Sequence, residues 1–203
     1  MTLYELKPRF QALLRPAVGR LAAAGMTANQ VTLVAAIGSV IVGGLIVAAQ
    51  PARWPFLLLP IWLAIRMALN AVDGMLAREF GQKSRLGAYL NEIADIASDA
   101  ALYAPFAWLP SFGPFWPALV IWLAALSESA GILGQTVGAT RRYDGPMGKS
   151  DRALVFGALG LWVGIGLPLP NWSVILFVVL AILLALTVVN RVRAGLAEAG
   201  RPL

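Results

Sequence analysis

The chain reads as an all-α polytopic membrane protein: six transmembrane helices preceded by an N-terminal amphipathic surface helix. Three observations predict this class. Of the 203 residues, 59% are hydrophobic and only 13% are charged, against about 25% charged in soluble domains, and the mean hydropathy is +0.75. Six apolar stretches are each long enough to cross a hydrocarbon core of roughly 30 Å. Most of the basic residues fall on alternate connections, as the positive-inside rule expects of a membrane protein with cytoplasmic termini.

Residues 1–27 form the expected amphipathic segment. Leu6, Phe10, Leu13, Leu14 and Val18 recur at helical spacing between Lys7, Arg9, Arg15 and Arg20, a pattern suited to an anionic membrane surface. The opening MTLYELKPRFQALLRP has prolines at 8 and 16 and no long apolar run, so it does not read as a secretory signal peptide. The spans are expected at 28–49, 54–78, 86–108, 115–138, 149–167 and 172–190. QPARWP at 50–55, LPSFGP at 109–114 and PLPNW at 168–172 break the apolar pattern between them. Residues 28–190 then make a six-helix bundle, 191–203 a cytoplasmic tail, and 1–203 a single membrane domain. Trp54, Trp62, Trp108, Trp116 and Trp172 lie mostly near outer span ends and read as an aromatic belt.

Of the 16 Lys and Arg, 14 lie before residue 28, at 78–85, at 140–152 or after 190. Both termini and the connections near 79–86 and 139–148 are therefore expected in the cytoplasm, in an inner-membrane setting. The net charge of +6 then reads as topology and attraction to anionic lipid headgroups, with no nucleic-acid partner implied. The chain contains no Cys and no His, which excludes disulfides, a thiol nucleophile and an imidazole base.

The second and third spans carry Arg66, Asp73, Glu92, Asp95 and Asp99. One charge at mid-membrane costs about 3 kcal/mol and five about 15 kcal/mol if they face lipid, so they must face protein or water. Asn70, Asp73 and Ala77 share one helix face; Asn91, Asp95 and Asp99 share another. Counted from the cytoplasmic ends, Asp73 sits roughly 8 Å deep and Asp95 roughly 14 Å, so the short EFGQKSRL connection brings them to one hydrated pocket. Gly74, Ala77 and Gly87 leave volume on its walls. Oxygen donors without His or Cys suit a hard ion such as Mg²⁺, Mn²⁺ or Ca²⁺, and a hard ion suggests phosphate chemistry.

The stretch N70-A-V-D73-G74-M-L-A77-R78, eight residues, then G87-A-Y-L-N91-E-I-A-D95 resembles the signature of CDP-alcohol phosphotransferases, D-x-x-D-G-x-x-A-R followed by G-x-x-x-D-x-x-x-D. GMTANQVTLVAAIG resembles that family's lead into its first span. The resemblance covers the whole chain and implies transfer of a phosphoalcohol, often phosphatidyl from CDP-diacylglycerol, to an acceptor alcohol with release of CMP. It implies one or two Mg²⁺ or Mn²⁺ ions at Asp73 and Asp95, with Asp95 also the proton acceptor. Gly74, Ala77, Arg78 and Gly87 would flank the cytidine diphosphate, and the protein would be a homodimer. The first and third signature aspartates are Asn70 and Asn91 here, able to offer a carbonyl oxygen but no charge. Glu92 points about 100° away from Asn91 around the helix and is a poor substitute.

Deeper polar residues invite a structural reading. Arg66, Asp99 and Glu128 fall roughly 17–20 Å from the cytoplasmic end, where they are expected to form a buried network; a further metal ligand is the alternative for Asp99. Lys149 and Arg152 open the fifth span, where the resemblance implies contact with an anionic acceptor or headgroup; Arg141 and Arg142 read as topogenic charge. Two other functions stay open: a CDP-lipid- or metal-binding pseudoenzyme, suggested by the two asparagines, and a small ion or solute transporter, since intramembrane carboxylates also mark ion paths.

Overall fold

A computed structural model of the chain describes residues 3–200, with side-chain surroundings from Phe10 onward. Helix α1 spans Leu3–Ala23, α2 Ala28–Ala48, α3 Leu58–Glu79, α4 Arg85–Tyr103, α5 Phe115–Leu133, α6 Lys149–Gly164 and α7 Val174–Ala199. Short 3₁₀ turns extend four of them: Trp54–Leu57 before α3, Ala104–Trp108 after α4, Gly134–Val137 after α5 and Asn171–Ser173 before α7. No strand occurs among the described residues.

Four segments are long and apolar enough to cross a membrane: Ala28–Ala48, Trp54–Glu79, Phe115–Val137 and Asn171–Ala199. The other two expected spans fall short for different reasons. Helix α4 carries Arg85, Glu92, Asp95 and Asp99, and α6 is only 16 residues long. Helix α7 continues past 190 to Ala199: NRVRAGLAEA contains no proline, and its one glycine, Gly195, is buried within the helix; most of the expected tail is helix. Leu6 lies outside the residues whose side chains are described.

Local chemistry sets the helix starts beside the site. Thr27 caps α2: its hydroxyl accepts from Gln30 N at 3.2 Å, and the Gln30 side chain accepts from Thr27 N at 2.9 Å. Ser84 caps α4 by accepting from Gly87 N at 2.9 Å. Gln82, on the α3–α4 connection, accepts from Ala28 N at 2.7 Å and donates to Met26 O, tying that connection to the start of α2.

Packing follows stripes of small residues, as expected where lipid provides no apolar driving force between helices. A Cβ at Gly43 of α2 would stand 2.1 Å from the Ala101 carbonyl oxygen of α4. On α6, Cβ atoms at Gly160 and Gly164 would meet Leu59 and Leu57 at 2.7 Å, so this helix lies directly against the start of α3. Away from the basic connections, Phe56, Tyr103, Phe106, Phe156 and Phe177 form a buried aromatic core, with Tyr103 stacked on Phe156. At the opposite, basic end, α1 lays Val18 against Met75 and Leu76 of α3, and Arg15 grips Glu79 through two hydrogen bonds of 3.0 Å.

Candidate active site

At the basic end, α2, α3, α4 and the α3–α4 connection enclose a cavity of about 450 Å³. Helix α3 contributes Asn70, Asp73, Gly74, Ala77 and Arg78 to its wall, and α4 contributes Gly87 and Asn91. Asn29 and Thr32 of α2, with Lys83 of the connection, complete it. The helical spacing read from the sequence thus brings seven of the named residues to one surface.

Two glycines have steric reasons to be there. A Cβ on Gly74 would lie 2.8 Å from Nη2 of Arg78, so the guanidinium folds back over the glycine and stays beside the cavity. A Cβ on Gly87 would lie 2.7 Å from Oδ1 of Asn29 and 3.0 Å from the capping Ser84 hydroxyl. Asp73 is 6% exposed, and its Oδ2 accepts from the Thr32 hydroxyl at 2.9 Å. Among the described residues Asp73 has no ion-pair partner. Its charged neighbours are Lys149 and Asp95.

Asp95 lies one turn beyond Asn91 and outside the cavity wall. Arg66 and Lys149 are its cations. Arg66 Nη2 donates to Oδ1 at 3.2 Å, and Lys149 Nζ makes a close contact with the same oxygen. Arg66 also donates through Nη1 to Asp99 Oδ1 at 2.5 Å. Arg152 continues the chain, donating to Asp99 Oδ2 at 3.0 Å and to Glu128 at 2.9 Å. Assigned to an acceptor site on sequence grounds, Arg152 is instead 1% exposed. It has no free donor face for an anion, because α6 enters the bundle with its first turn.

Three further participants escaped the sequence. Arg191 donates to the Ser127 carbonyl at 2.5 Å and pairs with Glu128 at 3.4 Å; its position after the expected end of the last span disguised it as a tail cation. Arg141 bridges Glu92 and Glu128, and only its sign, opposite to theirs, pointed to that role. Thr32 gave a weak signal, as a hydroxyl one turn inside an apolar span.

The donor set does not fit a pair of divalent ions. Asn70 and Asn91 bring no charge, Asp95 already receives two protein cations, and no three His, Cys, Asp or Glu among the described residues are grouped to hold a metal. Its chemistry suits a single hard ion instead: Asp73, Asn70 and Asn91, a carboxylate and two amides, all line the cavity.

An all-helical bundle with a membrane-spanning composition and a cavity built from the D-G-x-x-A-R face of one helix and the G-x-x-x-N face of the next defines the class of a membrane-embedded phosphotransferase scaffold. Residues 25–150 match the family model of CDP-alcohol phosphatidyltransferases, and the chain belongs to that family. It is 50% identical over 197 residues to the inner membrane protein YnbA of Escherichia coli (strain K12), covering 97% of each chain. It is 27% identical to the phosphatidylinositol phosphate synthase of Mycolicibacterium smegmatis, covering 90% of this chain and 83% of that one. Among solved structures, the fold is similar to Mycobacterium tuberculosis phosphatidylinositol phosphate synthase (PgsA1), with a TM-score of 0.73 at 20% identity. That holds for its complex with manganese and citrate, covering 93% of this chain and 92% of that one, and for its CDP-DAG-bound form, covering 93% and 96%.

Proposed function

We propose that the protein transfers a phosphatidyl group from CDP-diacylglycerol, or the phosphoalcohol of another CDP-alcohol, to an acceptor hydroxyl and releases CMP. The observation that carries this is the convergence of Asn70, Asp73, Gly74, Ala77, Arg78, Gly87 and Asn91 on one cavity. Its volume suits a nucleotide headgroup, and a relative of similar fold is known with CDP-DAG bound.

In this reading α2 to α7 all cross the inner membrane and α1 lies on its surface. Both termini and the cavity face the cytoplasm, because the cavity opens beside the basic connections. The protein acts as a homodimer and a single domain over 1–203. Cytidine diphosphate occupies the cavity against Gly74, Ala77 and Gly87, whose missing side chains admit it, while Arg78 and Lys83 face its phosphates. Asp73, Asn70 and Asn91 would hold one Mg²⁺ or Mn²⁺, which when bound supplies positive charge against the diphosphate. The acceptor oxygen forms a bond to the β-phosphorus as the bond to the CMP oxygen breaks, and CMP leaves with that electron pair. The acceptor's proton passes to Asp95 through Oδ2, the oxygen not held by Lys149 and Arg66. Lys149, 30% exposed at its side chain, is the cation available to an anionic acceptor; Arg152 is withdrawn into the network.

The test is CMP release by purified protein in lipid with CDP-diacylglycerol, Mg²⁺ or Mn²⁺ and a pooled acceptor extract. Release by wild type and its loss in Asp73→Asn and Asp95→Asn support the reading, and the lipid product names the acceptor. Equal turnover by Asp95→Asn refutes the assignment of the proton acceptor. A second reading, CDP-lipid binding without turnover, is favoured by the asparagines and by the ion pairs on Asp95; retained nucleotide without CMP release would establish it.

A further inference from the structure

The carboxylate at the last signature position is not an open ligand. Asp95 is 8% exposed, and its Oδ1 is held by Lys149 Nζ and Arg66 Nη2. These cations arrive from two other helices: Arg66 from inside α3, one turn before Asn70, and Lys149 from the first residue of α6. Helix α6 is fixed there independently. Its glycines press against α3, Asp151 accepts from Gly148 N at 2.9 Å, and Arg152 is locked between Asp99 and Glu128. Lys149 is therefore delivered to Asp95 by the packing of its helix. It also lies within electrostatic reach of Asp73.

The neighbouring position has lost charge to match. Asn91, one turn before Asp95 on the same face, offers a neutral oxygen. A divalent ion placed between Asn91 and Asp95 would have one carboxylate to neutralise it and two unit cations already on that carboxylate to repel it.

We propose that the ammonium of Lys149, backed by Arg66, stands in for a second divalent ion, so that this chain carries positive charge covalently at the Asp95 half of the site and binds one ion, at the Asp73 half. Lys149 is a positioning residue for Asp95 and the source of its compensating charge. The inference rests on the phosphotransferase reading of the cavity and deepens it.

The test counts Mn²⁺ by electron paramagnetic resonance on full-length protein in nanodiscs, with CDP present. Wild type is expected to saturate at one Mn²⁺ per chain. Asn91→Asp, which restores a ligand but leaves the ammonium, is expected to stay at one; Asn91→Asp combined with Lys149→Met is expected to reach two. Combining Asn91→Asp with Lys149→Arg keeps the charge and should stay at one. A wild-type count other than one, a second ion gained by Asn91→Asp alone, or no second ion in the Lys149→Met combination each overturns the proposal. Lys149→Gln, which loses the charge but keeps a hydrogen bond to Asp95, replaces Lys149→Met if that variant does not elute as folded protein. Retention of CDP, read in the same samples, tests the nucleotide site separately: its loss with the ion counts intact refutes that reading and leaves the role of Lys149 standing.

Discussion

Arg152→Met removes the cation on which the buried network turns. The side chain is 1% exposed and contacts Asp99 Oδ2 at 2.8 Å and Glu128 Oε1 at 2.9 Å. Removing one partner of a buried pair costs about 3–5 kcal/mol, because the charge left behind has lost its solvent and its partner. Two acids lose a partner here, which taken alone would double that figure. Each keeps other cations, however: Asp99 retains Arg66 at 2.5 Å, and Glu128 retains Arg141 at 3.3 Å and Arg191 at 3.4 Å. The expected loss is therefore that of one broken pair, about 3–5 kcal/mol, with methionine filling most of the vacated volume. Equilibrium unfolding in mixed micelles, with Asp99→Asn and the double variant completing a cycle, measures it. The double variant should be more stable than Arg152→Met alone, since the amide no longer needs the cation. A loss under about 1 kcal/mol, the value of an exposed pair, would refute the claim that these charges are shielded from water.

Two glycines predict opposite kinds of failure. Gly43→Ala drives a Cβ into backbone at Ala101 and should destabilise the fold by about 1–3 kcal/mol. Gly74→Ala meets only the flexible end of Arg78, so it should leave stability unchanged while weakening CDP binding about tenfold, the worth of one charge-assisted hydrogen bond; unfolding curves and nucleotide titrations on both variants separate them, and exchanged effects would refute the packing. The loop between α5 and α6 predicts a pH response. Arg142 hydrogen-bonds Asp144 through Nε at 2.9 Å and Nη2 at 3.0 Å and holds its carboxyl below the ordinary 3.8. A depressed carboxyl stabilises above its unfolded value and loses that contribution as pH falls through its folded one. Amide protection factors across 140–147 should hold down to about pH 3.8 and fall only below it, with Asp144→Asn weakly protected throughout; protection lost already at about pH 5–6 would refute the role of this pair.

Helical periodicity and connection length made much of the bundle legible: α2 begins at Ala28 as expected, and seven signature positions on α3 and α4 share one cavity. Both are local properties, fixed by 3.6 residues per turn and a five-residue connection, 80–84. The pairing of charges is not local. Lys149 meets Asp95, and Arg152 meets Asp99, because α6 packs on α3 through Gly157, Gly160 and Gly164, and nothing in the apolar pattern of α6 announces which helix receives that stripe. Arg141 and Arg191 reach Glu128 from a loop and from the end of α7. Gly145, with φ at 122° and Thr187 within 2.7 Å of where its Cβ would stand, presses that loop onto α7. A positive φ at a non-adjacent contact leaves no trace in hydropathy.

The balance of charge explains why these distant partners matter to the cavity. Glu92, Asp95, Asp99 and Glu128 are met by Arg66, Arg141, Lys149, Arg152 and Arg191. Four acids face five cations in these pairs, and Asp73, beside Lys149, has no ion-pair partner of its own among the described residues. Each Asp-to-Asn departure, at 70 and at 91, withdraws a negative charge that the signature would have placed at the cavity. Had both positions been aspartate, the cavity wall would carry three carboxylates beside Arg78 and Lys83, a negative excess that a divalent ion would offset. With asparagine at both, the chain's own arginines and lysine suffice. In the phosphotransferase reading proposed above, an ion would then be needed only when a diphosphate brings negative charge into the cavity.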